Sequence, residues 1–262
     1  DLMKVIILSL ALIGLISCGK PGYATRYWDC CKPSCSWPEH AGDYEGGKDV
    51  KQKNNKARMC SRKTGKEISF AEDTWAKSAC DGGDATTCLD QMPIIVSDTL
   101  AYGYAATPTS GESVCGKCFK FTFDGKGHWE NGYGHSLLAG KQMIVIATNV
   151  GHDVEGGQFD VMIPGGGVGL FDGCAGIFSG DMGRQYGGLL SDCEDEVGYE
   201  LSDKEIYEKR KSCLINKCKT VFSNVPAAVE GCLFHATWME AAGNPSFTYE
   251  ETACPKELLD KY

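Results

Sequence analysis

The sequence predicts an all-β domain, either a barrel or a sandwich, crosslinked by disulfide bonds. Runs of alternating or β-branched residues recur between glycines, which is typical of a domain built from short strands. The 33 glycines and 9 prolines imply many turns and few long helices. Residues 143–147 are apolar on both faces, which predicts a strand in the centre of its sheet. The predicted strands are residues 118–123, 142–148, 159–163, 233–239 and 247–250.

Residues 1–23 are predicted to be a secretory signal peptide, with an approximate boundary. Lys4 supplies a positive charge, residues 5–16 are mostly apolar, and small or turn-forming residues follow. The apolar stretch is too short to cross a bilayer as a stable helix. We therefore expect a secreted, extracellular protein whose mature form has no membrane partner. The alternative is a bacterial lipoprotein signal at residues 15–18, in which Cys18 would be lipidated.

The cysteines favour disulfide bonds over metal binding. Of the 15 cysteines, 14 remain when Cys18 is removed with the leader, an even number suited to bridges in an oxidising compartment. The pair Cys115 and Cys118 lacks the second pair or histidine partner that a zinc site needs. The five histidines are dispersed along the chain. We expect neither a metal nor a cofactor.

Residues 24–262 are predicted to form one domain. No linker rich in Ser, Thr or Pro is present, so we expect no separate carbohydrate-binding module. One insertion, residues 194–231, is rich in charge, and residues 202–205 form a capping box that predicts the start of a helix. In a regular helix Cys213 and Cys218 point in different directions, so they could pair only if the helix broke near Asn216. The apolar stripe of this helix comprises Ile206, Cys213, Leu214, Cys218 and Val221.

A second glycine-rich segment, residues 124–140, carries several aromatic side chains and predicts a hairpin loop. The sequence leaves two interpretations open. The loop is either a plain variable connection or an extension of a sugar-binding groove.

The net charge of −9 at pH 7 limits the partners that this chain can bind. An acidic surface repels phosphate backbones and anionic polysaccharides, so nucleic acid is excluded as the expected partner. A neutral glycan is indifferent to that charge.

Two aspartates stand in contexts that would hold a carboxylate in place. Asp29 lies between an aromatic pair and three cysteines in residues 25–35, and Asp160 precedes the glycine-rich residues 164–169. That glycine-rich segment lacks the Lys-Ser/Thr of a phosphate-binding loop, and it predicts a close backbone approach. Two positioned carboxyl groups, one acid and one base, are the minimum for cleaving a glycosidic bond.

At these residues the chain resembles glycoside hydrolase family 45, the small secreted endoglucanases. The resemblance rests on Thr-Arg-Tyr-Trp-Asp and the clustered cysteines of residues 25–35, and on the block at residues 159–174. Further similarity runs through residues 102–107, 186–188 and 243–255. The resemblance implies a six-stranded double-psi β-barrel with a groove across it. It also implies disulfides between Cys30 and Cys174 and between Cys118 and Cys254.

The resemblance further implies an inverting endo-1,4-β-glucanase that acts on cellulose and related β-1,4-glucans. Asp160 would be the general acid, Asp29 the general base and Asp153 an assisting residue. Gln158 occupies a position that is often histidine in the family, so its polar contact is expected to differ. We also expect a monomer. The implied substrate-binding residues are Thr25 and Tyr27 at the cleavage point, Trp37 as a stacking face, and Ala106 and Tyr186 along the groove.

Two other classes share the expected architecture. An expansin-like wall-loosening protein has the barrel and the second aspartate but hydrolyses nothing, and such proteins lack a carboxylate at the position of Asp29. A barwin-like binding or defence module is also disulfide-rich, but it needs neither the paired acids nor the long glycine-rich segment. Release of new reducing ends separates hydrolysis from both alternatives.

Overall fold

The computed structural model of the chain describes residues 19–38, 56–108, 114–151, 153–178 and 180–262. The apolar part of the expected signal peptide, together with Cys18, lies outside the described residues.

Most of the strands close into a ring. In one sheet they run in the order β4-β5-β7-β6-β9-β1-β8, and β8 also pairs with β5, so the sheet returns on itself. This confirms a mostly β protein; the double-psi connection remains a prediction. The strands are β1 Lys20–Tyr27, β2 Cys60–Ser61, β3 Ala85–Thr86, β4 Ile94–Ile95, β5 Leu100–Pro108, β6 Cys118–Gly127, β7 Gln142–Gly151, β8 Gln158–Met162 and β9 Pro245–Thr252.

Aromatic side chains fill one of the two main hydrophobic clusters of the fold. The rings of Phe121 and Phe247 stack with centroids 4.0 Å apart, and Phe159 meets Phe121 edge-on at 4.8 Å. Such pairs stabilise a core beyond the area that they bury. The predicted central strand, residues 143–147, lies within β7 between β5 and β6, which confirms its position.

The strand β1 begins inside the predicted leader, whose approximate boundary remains a prediction. Lys20 to Tyr23 pair with Tyr249 to Ser246 of β9, so a boundary at residue 23 would cut through a strand of the ring. The small and turn-forming residues that suggested a cleavage region up to residue 23 therefore include strand residues. A cleavage point before Lys20 would leave β1 whole.

Three long helices follow the ring's glycine-rich loop: α1 Gly188–Val197, α2 Asp203–Val221 and α3 Pro226–Thr237. The predicted capping box is confirmed, because Ser202 and Glu205 exchange the side-chain and backbone hydrogen bonds that define it. The helix α2 runs unbroken past Asn216. Cys213 and Cys218 accordingly pair elsewhere, with Cys193 and Cys232. Shorter helical segments are Ser34–Ser36, Phe70–Asp73, Ala79–Asp81, Tyr133–Ser136 and Lys256–Leu259.

The strand predicted at residues 233–239 is wrong, because most of this segment belongs to α3. Its apolar residues fit a buried strand and a buried helix equally well. Pro226 occupies the first turn, where proline is compatible with a helix, and the Cys218–Cys232 disulfide joins α3 to α2. The helix is buried on several sides, which removes the one-sided pattern that marks a surface helix. In the described part of the chain, no helix is long and apolar enough to cross a bilayer.

Fourteen cysteines form seven disulfides, as the parity of the sequence predicts. Cys115 and Cys118 pair with Cys35 and Cys254 and not with each other. The two pairings implied by the family resemblance are both present. The bridges are Cys30–Cys174, Cys31–Cys80, Cys35–Cys115, Cys60–Cys88, Cys118–Cys254, Cys193–Cys213 and Cys218–Cys232.

Candidate active site

A cleft of about 540 Å³ is bordered by β1 and β8. Its size suits a small stretch of ligand rather than a single ion. Asp29, Ala106 and Trp37 do not line it. Five of the predicted site residues do: Thr25, Tyr27, Asp153, Asp160 and Tyr186.

Strand register places Asp160 between two of the predicted residues. In the parallel pairing of β1 with β8, Thr25 lies opposite Asp160, and in the antiparallel pairing of β5 with β8, Ala106 does. Paired residues of neighbouring strands point to the same face of a sheet. Ala106 is buried, so it contributes a wall beside Asp160 rather than a groove-lining side chain.

The contact between β1 and β8 continues beyond the ends of both strands. The N–H of Ile163 donates to the carbonyl of Tyr27 at 2.9 Å, and the N–H of Trp28 donates to Gly167 at 2.7 Å. The N–H of Gly173 then donates to the carbonyl of Asp29 at 2.8 Å. These bonds hold the segment that carries Asp29 against the segment that follows Asp160.

The glycine-rich segment makes this approach possible. A Cβ on Gly166 would lie 2.8 Å from the Tyr27 nitrogen, and one on Gly173 would lie 2.8 Å from the carbonyl oxygen of Cys30. Side chains at either position would push the two segments apart. The predicted close backbone approach is therefore confirmed.

Asp29 is held by a local turn. Cys30 adopts a left-handed backbone conformation with φ of 55°, which is uncommon for a residue with a side chain. The turn lets Oδ1 of Asp29 accept the N–H of Cys31 at 2.9 Å. Burial raises the pKa of Asp29 to about 6; the Cys31 hydrogen bond lowers it, and the charges of Asp153 and Asp172 raise it.

Asp160 is harder still to ionise. Burial raises its pKa to about 7, and the negative charges of Asp153 and Asp29 act in the same direction. The Thr25 hydroxyl and the Arg26 guanidinium favour the anion and lower that pKa. Among the described residues, Oδ1 of Asp160 has no hydrogen-bond partner although it is buried. An orphaned carboxyl oxygen is suited to carry a proton or to meet a ligand.

A chain of hydrogen-bonded side chains links Tyr23 to Thr25, which lies opposite Asp160 in the sheet. Tyr23 donates its hydroxyl to Oε1 of Gln158 at 3.1 Å, and Nε2 of Gln158 donates to Oγ1 of Thr25 at 2.9 Å. Because the Thr25 oxygen accepts from Gln158, its own O–H is left to donate to Asp160, which lowers the pKa of that carboxyl. Gln158 is therefore a positioning residue, and its amide makes the polar contact whose nature the sequence left open.

Tyr27 lies close enough to both carboxyls to be influenced by their charges. Its hydroxyl accepts a hydrogen bond from Nδ2 of Asn149 at 3.4 Å. Burial raises the pKa of Tyr27 well above its usual value, and the charges of Asp29 and Asp160 raise it further. The phenol is consequently neutral, and it can donate a hydrogen bond into the cleft.

Arg26 and Asn149 are site residues that sequence reasoning missed. The Arg26 guanidinium donates to the carbonyl of Gly187 at 3.1 Å and to Oγ of Ser191 at 3.4 Å. It also lines the cleft beside Asp160. Arg26 could have been predicted as a site residue, because it lies between Thr25 and Tyr27 in the sequence. Asn149 could not, because its contact with Tyr27 joins residues far apart in the sequence.

Trp37 lies apart from this cleft. Its ring packs under Nζ of Lys32, which is 3.5 Å from the ring centroid, and lies 6.3 Å from the ring of Trp75. Lys32 follows Asp29 by three residues, so the two tryptophans are on the Asp29 side of the site. A stacking role for Trp37 remains a prediction.

The arrangement is suited to acid–base chemistry between two carboxyl groups. Their pKa values, raised to about 6 and about 7, allow one carboxyl to be ionised while the other is protonated near neutral pH. Among the described residues, no three His, Cys, Asp or Glu side chains are grouped as metal ligands would be.

Comparisons with known proteins identify one family and several endoglucanases similar to this chain. The sequence model described as Glycosyl hydrolase family 45 matches residues 21–207. Endoglucanase B of Cellvibrio japonicus is 43% identical, over 93% of this chain and 45% of that protein. A putative endoglucanase type K of Fusarium oxysporum is 38% identical, over 91% of this chain and 52% of that protein. The chain thus spans about half the length of these two relatives.

A relative of similar length comes from an animal whose cellulase has a solved structure. The endoglucanase of the springtail Cryptopygus antarcticus is 33% identical, over 99% of this chain and 96% of that protein. The crystal structure of a cellulase from the same animal superposes with a TM-score of 0.66 at 31% identity, over 93% of this chain and 95% of that one.

Burial of Asp160 predicts a stability cost that depends on pH. Its pKa of about 7 lies above the ordinary 3.8, so the native state retains a proton that the unfolded chain has released, and stability falls as pH rises through that window. We expect Asp160→Asn to have a higher Tm than the unsubstituted protein at pH 8, with a smaller difference at pH 4. Thermal unfolding at both pH values measures this.

The control is Asp98→Asn, which changes an exposed carboxylate two residues before the start of β5 and eight residues before Ala106. It should leave Tm unchanged at both pH values. The prediction would be contradicted if Asp160→Asn had a lower Tm than the unsubstituted protein at pH 8. It would also be contradicted if the difference in Tm were the same at pH 4 and at pH 8.

Proposed function

The chain belongs to glycosyl hydrolase family 45, and we propose that it is an endoglucanase that hydrolyses internal β-1,4-glucosidic bonds of cellulose and related β-glucans. The single observation that carries the proposal is a pair of half-buried carboxyls with raised pKa values, Asp160 in the cleft and Asp29 close enough for its charge to raise the pKa of Asp160. The endoglucanase names of the relatives and the cellulase name of the solved structure support it.

Asp160 acts as the general acid in this proposal. A pKa of about 7 keeps much of its population protonated near neutral pH, and the orphaned oxygen is the one that would donate to the departing glycosidic oxygen. As the bond breaks, Asp160 becomes an anion, which the Thr25 hydroxyl and the Arg26 guanidinium stabilise.

Asp29 acts as the general base. With a pKa of about 6 it is the more acidic of the two, and as an anion it accepts a proton from the water that attacks the anomeric carbon. Attack from the face opposite to Asp160 inverts the configuration. An inverting enzyme separates its carboxyls by about 6.5–9.5 Å to admit that water.

Asp153 assists electrostatically. It lines the cleft on the loop between β7 and β8, and its negative charge raises the pKa of both Asp160 and Asp29. The effect on Asp160 keeps the acid protonated at higher pH. Thr25, Tyr27 and Tyr186 contact the substrate from the cleft walls, and Trp37 offers a stacking face on the Asp29 side.

The acidic surface is compatible with a neutral polysaccharide. A net charge of −9 repels polyanions but does not repel a glucan, because a glucan carries no charge. The seven disulfides support secretion, because such bridges persist in oxidising compartments. We propose a secreted monomer that acts without a cofactor.

Removal of either carboxylate should abolish turnover. General acid or base groups contribute about 10²- to 10⁴-fold each, so we expect Asp29→Asn and Asp160→Asn to lose at least about 100-fold in kcat. The assay is release of reducing ends from carboxymethylcellulose, and Asp98→Asn is the control that should retain activity. Full activity in either variant would remove that residue from the mechanism. No reducing ends from the unsubstituted protein would point to an expansin-like role.

The pH dependence of kcat/KM should be a narrow bell. Activity rises as Asp29 ionises through pH about 6 and falls as Asp160 loses its proton through pH about 7. Asp153→Asn should move both limbs to lower pH, since it removes a charge that raises both pKa values. Initial rates on a soluble β-glucan across this range test the assignment, and a flat profile or an unmoved bell would refute it.

The stereochemistry of the product tests the role of Asp29 as a base. Inversion at a β-linked sugar releases the α-anomer at the new reducing end, whereas a carboxylate nucleophile would release the β-anomer. Proton NMR of cello-oligosaccharide hydrolysis, recorded before the product equilibrates, distinguishes them. We expect the α-anomer first; the β-anomer first would show that Asp29 attacks the sugar.

A further inference from the structure

Trp129 is a large apolar ring exposed inside the catalytic cleft. It belongs to the glycine-rich hairpin segment, residues 124–140, whose purpose the sequence left open. The side chain is 66% exposed, and it lines the same cleft as Asp153 and Asp160. An indole that remains accessible in a ligand cleft offers a flat surface to whatever binds there.

The ring is supported from behind by two other rings. His128 stacks on Tyr23 with centroids 3.7 Å apart and planes 5° apart. Trp129 meets the same pair edge-on, at 5.4 Å from Tyr23 and 4.7 Å from His128. The edge contacts fix the indole while its exposed surface stays available.

The backbone around Trp129 is fixed on both sides. Gly127 pairs with Pro245 of β9, and its N–H donates to Oδ1 of Asn131 at 3.0 Å. The N–H of His128 donates to the carbonyl of Asn244 at 2.9 Å. A Cβ on Gly127 would lie 1.8 Å from the carbonyl oxygen of Glu130, so the turn can be this tight only with glycine there. A ring held in place before binding loses little entropy on binding.

We propose that Trp129 is a stacking platform for a glucose residue of the β-1,4-glucan that does not itself react. The inference rests on the proposed function and adds a subsite to it. The equatorial hydroxyls of β-1,4-linked glucose leave C–H groups on both faces of the ring, and these faces pack on an indole. Glu130 and Asn244, which line the cleft beside Trp129, are placed to meet the hydroxyls at the rim.

Chain length separates this role from an indirect one. Trp129 also contacts Tyr23, which donates to Gln158 and so reaches Thr25 and Asp160. If the ring acted only through that chain, its loss would affect every substrate equally. A subsite affects only oligosaccharides long enough to reach it.

The test measures the binding of a series of cello-oligosaccharides, from cellobiose up to cellohexaose. Calorimetry gives the Kd of each one for the protein in the Asp160→Asn background. Aromatic contacts of this kind correspond to about 3- to 10-fold in affinity. We expect Trp129→Ala to raise the Kd of the longest oligosaccharides by about 3- to 10-fold. The Kd of the shortest oligosaccharides that bind should stay unchanged. Trp129→Phe keeps a smaller ring and should lie between; it also serves if the alanine variant does not fold, which its Tm would show.

The matched control is Tyr199→Ala. Tyr199 is 64% exposed, packs against Arg210 at 4.6 Å and faces a different cavity. An unchanged Kd in Trp129→Ala at every length, an equal change at every length, or the same change in Tyr199→Ala would overturn the inference. Hydrolysis of soluble β-glucan by the unsubstituted protein is measured in parallel, so that failure of the proposed function is seen separately.

Discussion

The pairing of β1 with β8, carried past the ends of both strands, is the constraint on which the rest of the site depends. It places Thr25 beside Asp160, and the backbone bonds beyond it hold Asp29 against the loop that follows β8. The Cys30–Cys174 disulfide closes the same contact across 144 residues. A bridge over so long a segment removes much of the freedom of the unfolded chain. Two carboxyls distant in sequence are thereby held close enough for the charge of Asp29 to raise the pKa of Asp160.

Burial gives these carboxyls their chemistry, and it costs stability. The same desolvation that raises the pKa of Asp160 penalises its anion in the folded state. The fold offsets this locally with the Thr25 hydroxyl and the Arg26 guanidinium, and Gln158 orients the hydroxyl. The anion of Asp29 is stabilised differently, because its carboxylate accepts a hydrogen bond from the N–H of Cys31 in the same turn. The two carboxyls therefore have different surroundings that favour their anions, although burial raises the pKa of both.

Local signals predicted local structure well. The capping box at Ser202 marked the start of α2 because its partners are three residues apart, and the run at residues 143–147 marked β7 because its apolar character needs no distant partner to be seen. The segment 233–239 failed for the opposite reason. Its apolar side chains fit a strand or a helix, and the disulfide and packing that decided for α3 come from residues elsewhere in the chain.

The sequence by itself determined that the chain is a mostly β, disulfide-crosslinked domain with two aspartates in backbone contexts that hold them. Periodicity and turn residues are visible in neighbouring positions, and cysteine parity needs only a count of the chain. Only the tertiary structure decided what surrounds those aspartates. The raised pKa values, the Tyr23–Gln158–Thr25 chain and the backing of Trp129 by Tyr23 all depend on distance in space. Desolvation and hydrogen bonding act over a few ångströms, and the residues that supply them here are separated by up to 135 positions.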